Sequence, residues 1–115
     1  MDNIFEKSLL YDFYGELLTD HQKKIYEDVV LNDLSLSEIA AEEGISRQGV
    51  HDLVKRCNKI LDEYEEKLKL VEKFLAVKGY VKEIQEKCES YKSSDNDEKT
   101  VDEIKKISQK ILEEL

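Results

Sequence analysis

The chain has 115 residues, with 18 Lys and Arg against 27 Asp and Glu, for a formal charge of −9. It contains no proline and only 4 glycines, and 39% of its residues are charged. Sandwiches and barrels need many Gly- and Pro-bearing turns, so this composition excludes them and predicts an all-α chain; the acidic balance likewise excludes a generally basic coat for nucleic acid or membrane.

The first predicted helix has Asn3 as its cap and Glu6 at the capping-box position. Phe5, Leu9, Phe13 and Leu17 recur at i, i+4 and predict one buried stripe, which Leu10 and Tyr14 widen. Gly15 weakens this helix by roughly 0.5–1 kcal/mol relative to alanine. Thr19, with Gln22 as its box partner, opens a second helix that runs to about Leu31 and buries Ile25, Tyr26, Val29 and Val30. Asn32 and Asp33 read as a turn. Ser35 caps a short third helix with Glu38 as box partner, and Leu34 and Ile39 form its hydrophobic staple. Gly44 ends it. Ser46 caps a fourth helix, stapled by Ile45 and Val50.

The apolar stripe of that fourth helix runs through Val50, Leu53, Val54, Cys57, Ile60, Leu61, Tyr64, Leu68, Val71, Phe74 and Leu75. Nothing in the sequence breaks it before Gly79, which predicts a continuous helix of about 30 residues, roughly 45 Å long. Gly79 is expected to end it as a left-handed cap. Tyr80, Val81, Ile84, Cys88 and Tyr91 mark a fifth helix, and Lys92 to Lys99 read as a loop. Thr100 with Glu103 is expected to open a last helix that buries Val101, Ile104, Ile107, Ile111, Leu112 and Leu115. The organisation expected is a helix-turn-helix bundle over residues 1–60, followed by the extended helix and C-terminal helices over 61–115. The broad apolar arc of the last helix would remain exposed in a monomer, which predicts a homodimer formed mainly by the C-terminal half.

Leu36 to Leu53 carries the spacing of a helix-turn-helix. The first helix needs a small residue where the second crosses it, and Ala40 supplies that. The turn needs a residue tolerant of positive φ, and Gly44 supplies that. Glu43 departs from the pattern, standing where an apolar residue is usual. In such a unit the second helix enters the major groove and its first residues meet base edges. The outward face carries Arg47, Gln48, His51, Asp52, Lys55 and Arg56. Arginine pairs with guanine and glutamine with adenine, while later cations meet phosphates. The amides from Ser46 to Gln48 add a phosphate site. The candidate nucleic-acid contacts are therefore Ser46, Arg47, Gln48, His51, Lys55 and Arg56.

The competing reading is a helix-turn-helix kept as scaffold or protein-docking surface. From Ser35 to Ile60, four basic residues (Arg47, Lys55, Arg56, Lys59) face four acidic ones (Glu38, Glu42, Glu43, Asp52), whereas a committed DNA binder usually shows a basic face.

His21 and His51 lack metal-ligand neighbours, so no metal or cofactor is expected. Cys57 and Cys88 both fall on apolar stripes and are expected in the core. Asp62, Glu63, Glu65 and Glu66 read as a solvated helix face. No nucleophile–base pair, phosphate loop or paired-carboxylate motif is present, so no enzymatic activity is expected. No apolar run approaches the roughly 18 residues of a membrane span, and the acidic start at Asp2 and Glu6 lacks a signal peptide's basic region; the expected location is the cytoplasm, with no membrane insertion.

The stretch from Leu18 to Leu68 (LTDHQKKIYEDVVLNDLSLSEIAAEEGISRQGVHDLVKRCNKILDEYEEKL) resembles the promoter-reading C-terminal domain of bacterial sigma factors. YDFYGELLTDHQ, SLSEIAAEEGISRQGV and LDEYEEKLKL together resemble the YlxM family more closely, with the resemblance fading after Phe74. This resemblance implies a small cytosolic helix-turn-helix protein, regulatory and associated with the signal recognition particle. It supplies no catalytic residues. It leaves two partners in view: duplex DNA, or the protein or RNA of the particle.

Overall fold

The computed structural model describes residues 4–91 and 97–115. They form six α-helices and, among the described residues, no strand: α1 Ile4–Tyr14, α2 Asp20–Tyr26, α3 Leu36–Glu43, α4 Arg47–Leu68, α5 Leu70–Glu89 and α6 Asp97–Glu114. A 3₁₀ turn, Gly15–Leu17, follows α1, and a π-helical turn, Glu27–Leu31, extends α2. The chain divides into two compact units, Met1–Val71 and Glu72–Leu115.

The first unit assembles as its apolar spacing demands. Helices α1, α2 and α3 all pack on α4. Ile25, Ile39, Ala40 and Val50 form one core cluster, with Val29, Leu36, Leu53 and Val54 packed against it. Thr19 and Gln22 make the full capping box expected of them. The Ser35 hydroxyl accepts from Glu38 N at 3.1 Å. The cap expected at Asn3 lies outside the described residues.

Helix α1 turns inward the Leu10 and Tyr14 edge of the stripe expected of it, and not the rest. Leu10, Tyr14 and Leu18 are buried, while Phe5, Phe13 and Leu17 are exposed. The polar ends of the tyrosines account for this. Tyr11 stacks on Tyr26 with ring centroids 5.4 Å apart, and its hydroxyl donates to Glu27. Tyr26 donates in turn to Asn58 Oδ1 at 3.0 Å. Burial, then the neighbouring Cys57 and Asp62, push the Tyr26 phenol up to about 12.

The long fourth helix is not continuous. It ends at Leu68, and Lys69 takes a left-handed conformation at φ 56°. Gly79 lies inside α5 and ends nothing. Three bonds hold the break. Tyr14 donates to Glu65 Oε1 at 2.6 Å, Leu70 N donates to the Tyr14 hydroxyl at 3.1 Å, and Val71 N donates to Glu65 Oε1 at 3.0 Å. The amides at the start of α5 thus find side-chain acceptors, as an N-terminus within a packed region must. Glu65 is therefore half-buried rather than part of a solvated face. Tyr64, from the stripe of α4, stacks on Tyr14 with centroids 6.0 Å apart.

In the second unit α5 and α6 run antiparallel. Lys87 Nζ meets Glu103 Oε2 at 2.8 Å, and Lys110 Nζ lies 6.0 Å from the Tyr80 ring centroid. Helix α6 begins before Thr100, and Glu103 pairs with Lys87 instead of closing a box with Thr100. The expected loop is helical at residues 97–99; the rest of it, 92–96, lies outside the described residues. Among the described residues of this unit Ile107 is the one buried hydrophobic, and Val101, Leu112 and Leu115 are exposed rather than buried. Cys57 is in the core as expected; Cys88 is exposed, in a unit whose described residues bury one hydrophobic, Ile107.

Candidate nucleic-acid interface

The interface begins with the turn between α3 and α4. Gly44 has φ 67° and ψ 30°, a left-handed conformation that costs other L-residues energy. Its amide donates to Ala40 O, and the Ile45 amide donates to the same carbonyl at 3.1 Å. Ser46 then caps α4, its hydroxyl accepting from Gly49 N at 2.9 Å. No acidic residue stands in the first turn of α4, so the positive end of its dipole is uncompensated, which suits an anion.

Glu43, the departure from the expected pattern, is explained by two side chains on α2. Lys24 Nζ lies 3.1 Å from Glu43 Oε1 and His21 Nε2 lies 3.2 Å from Oε2. The Lys24 bond, then the His21 bond, hold this carboxyl below its ordinary value. A depressed carboxyl stabilises the fold above its ordinary pKa of 4.5, and that contribution is lost as pH falls through the lowered value. Glu43→Gln should therefore melt below the parent at neutral pH, with the gap closing as pH is taken well below 4.5. Thermal melts by circular dichroism across pH check this; a gap unchanged in acid would contradict it.

All six candidate contacts, Ser46, Arg47, Gln48, His51, Lys55 and Arg56, lie at the N-terminal half of α4 or its cap, and all are exposed. Arg47, Gln48 and His51 line a shallow depression together with Leu36, the first residue of α3. Lys55 and Arg56 line a second, adjoining groove with Asp52, Lys59, Asp62 and Glu63. Among the described residues no ion pair engages Arg47, Lys55 or Arg56, so their charge is available to a partner. Two members of the set are not independent. Gln48 Nε2 donates to Asp52 Oδ1 at 2.9 Å, and His51 Nδ1 lies 3.7 Å from the same oxygen. The i, i+4 spacing of Gln48 and Asp52 was the available sequence signal for that bond. Among the described residues no group of three or more His, Cys, Asp and Glu is placed to hold a metal ion, and no helix is long and apolar enough to cross a membrane.

A family model for helix-turn-helix proteins described as YlxM / p13 like (UPF0122) matches residues 1–104. A UPF0122 protein of Clostridium perfringens is 44% identical over 115 residues, covering 100% of this chain and 97% of its own length. One from Acetivibrio thermocellus is 43% identical over 113 residues, 98% of this chain and 97% of its own. One from Malacoplasma penetrans is 47% identical over 79 residues, 69% of this chain and 74% of its own. The likeness runs well past Phe74, where the sequence motifs had suggested it would fade. The α3–Gly44–α4 geometry and a family match across nearly the whole length lead to one assignment: the chain belongs to the YlxM / p13-like helix-turn-helix family.

Proposed function

We propose that this chain is a cytoplasmic regulatory protein that binds duplex DNA through the first three turns of α4, and that it serves the signal recognition particle pathway its family resemblance implies. The observation that carries the reading is the placement of six exposed groups around one capped helix start. Ser46 and the free amides behind it suit a phosphate; Arg47 and Gln48 stand where base edges would lie; Lys55 and Arg56 lie further along, in reach of the backbone. No catalytic role is assigned to any residue. The test is binding of the intact chain to random-sequence duplex across a salt series. Lys55 and Arg56 predict a logarithmic slope of about −2, since each phosphate neutralised contributes about −0.9. Failure to bind at low salt would overturn the reading.

A second reading rests on the formal charge of −9 and on the acidic groups Asp62, Glu63 and Glu66 beside Lys59 on α4. An acidic face suits a basic protein partner, which favours an accessory protein that docks on the signal recognition particle through its protein rather than its RNA, without reading DNA sequence.

The C-terminal helices are proposed to form a homodimer. A single buried hydrophobic, Ile107, among the described residues of Glu72–Leu115 is too little core for a unit of that size. A two-fold pairing would cover Val101 and Leu112 and present two copies of α4. Sedimentation equilibrium should give a two-chain mass at micromolar concentration; a one-chain mass would rule the dimer out.

A further inference from the structure

The geometry points to Asp52 as a specificity-determining residue of the α4 face, one that fixes how Gln48 presents its amide and keeps phosphates from binding indiscriminately. This rests on the DNA-binding reading above. Asp52 is the one acidic residue within the first three turns of α4, and it stands among Gln48, His51, Lys55 and Arg56. Gln48 gives one amide N–H to Asp52 Oδ1 at 2.9 Å. Its carbonyl oxygen and its second N–H remain, and these are the acceptor and donor that match N6 and N7 of adenine. A carboxamide without such a tether rotates, and a glutamine that offers either end to a base discriminates poorly. The tether therefore selects one presentation before binding, which lowers the ordering cost of the contact.

The carboxylate has a second effect. Ionised, it is an acceptor only. Opposite a phosphate, or opposite the two acceptors of guanine, it repels; opposite an exocyclic amine of cytosine or adenine it accepts. Placed among Arg47, Lys55 and Arg56, it offsets part of their sequence-independent attraction. The Asp52 side chain is 65% exposed, so replacing it does not disturb the core.

The two effects separate in two variants. Asp52→Asn removes the charge and keeps an acceptor for Gln48; Asp52→Ala removes both. Each is measured by fluorescence anisotropy against a random-sequence duplex and against a duplex selected from a random pool by the intact parent chain. Both variants should bind random duplex at least about threefold more tightly than the parent, in line with the loss of one like charge at the phosphate face. Asp52→Ala alone should lose preference for the selected duplex, by about fivefold or more, with the loss confined to A·T positions. Side-chain amide resonances of Gln48 should shift in the free Asp52→Ala protein and less so in Asp52→Asn. Unchanged affinity and preference in both variants would overturn it and leave the DNA-binding reading standing. No binding by the parent or by either variant would overturn the DNA-binding reading and this proposal with it.

Discussion

Ile39→Ala is expected to lower stability by about 2–5 kcal/mol, the range for truncating a fully buried aliphatic side chain. Ile39 is 1% exposed and sits between Ile25, Ala40 and Val50, so no solvent can fill the space it leaves. For a unit of this size the loss corresponds to roughly 10–30 °C in thermal midpoint. The effect should be cooperative, because the same cluster joins α2, α3 and α4. Ile45→Ala is the matched control. Ile45 is 40% exposed beside the same turn, and its truncation should cost well under half as much. Chemical denaturation of both variants checks the pair; equal losses would show that the core does not lie where this packing puts it.

The second large effect is on binding. Arg47→Ala and Gln48→Ala should each weaken binding to a selected duplex by about 5- to 150-fold while affecting random duplex much less, because base-edge contacts are worth about 1–3 kcal/mol of discrimination each. Lys55→Ala and Arg56→Ala should weaken both duplexes alike and flatten the salt slope by about 1 each, since phosphate contacts hold no sequence information. Position along α4 is the physical basis of the split: Arg47 and Gln48 open the helix, and Lys55 and Arg56 stand two turns later. Competition titrations at several salt concentrations measure it, and equal effects from all four substitutions would contradict it.

Much of this architecture was legible in local chemistry. The box at Thr19, the cap at Ser35, the small residue at Ala40 and the positive φ at Gly44 are short-range features, and each appears where its residues place it. Most of the failures share a cause, which is that long-range polar contacts overrode local pattern. The stripe from Val50 to Leu75 carries no glycine or proline at Lys69, so nothing local marks the break. Its acceptors come from Tyr14, distant in sequence, and from Glu65, which reads as one charge among several. The inward face of α1 followed tyrosine hydroxyls rather than the Phe5–Phe13 spacing. Glu43 looked out of place until Lys24 and His21 from another helix met it. Cys88 lay on an apolar stripe that the second unit does not cover. On the candidate interface, residue types and helix position were readable from sequence; the bond from Gln48 to Asp52 became apparent with side-chain placement.

The central claim is that the start of α4 is the nucleic-acid contact surface. It is tested most directly by ¹⁵N-edited NMR of the intact chain titrated with duplex DNA at low salt. The expected result is that backbone amides from Ser46 to Arg56 shift or broaden first, with side-chain signals of Arg47 and Gln48 among them, while amides of the acidic stretch at Asp62 to Glu66 stay in place. Perturbations centred on that acidic stretch or on α6, or no perturbation at any duplex concentration, would contradict it.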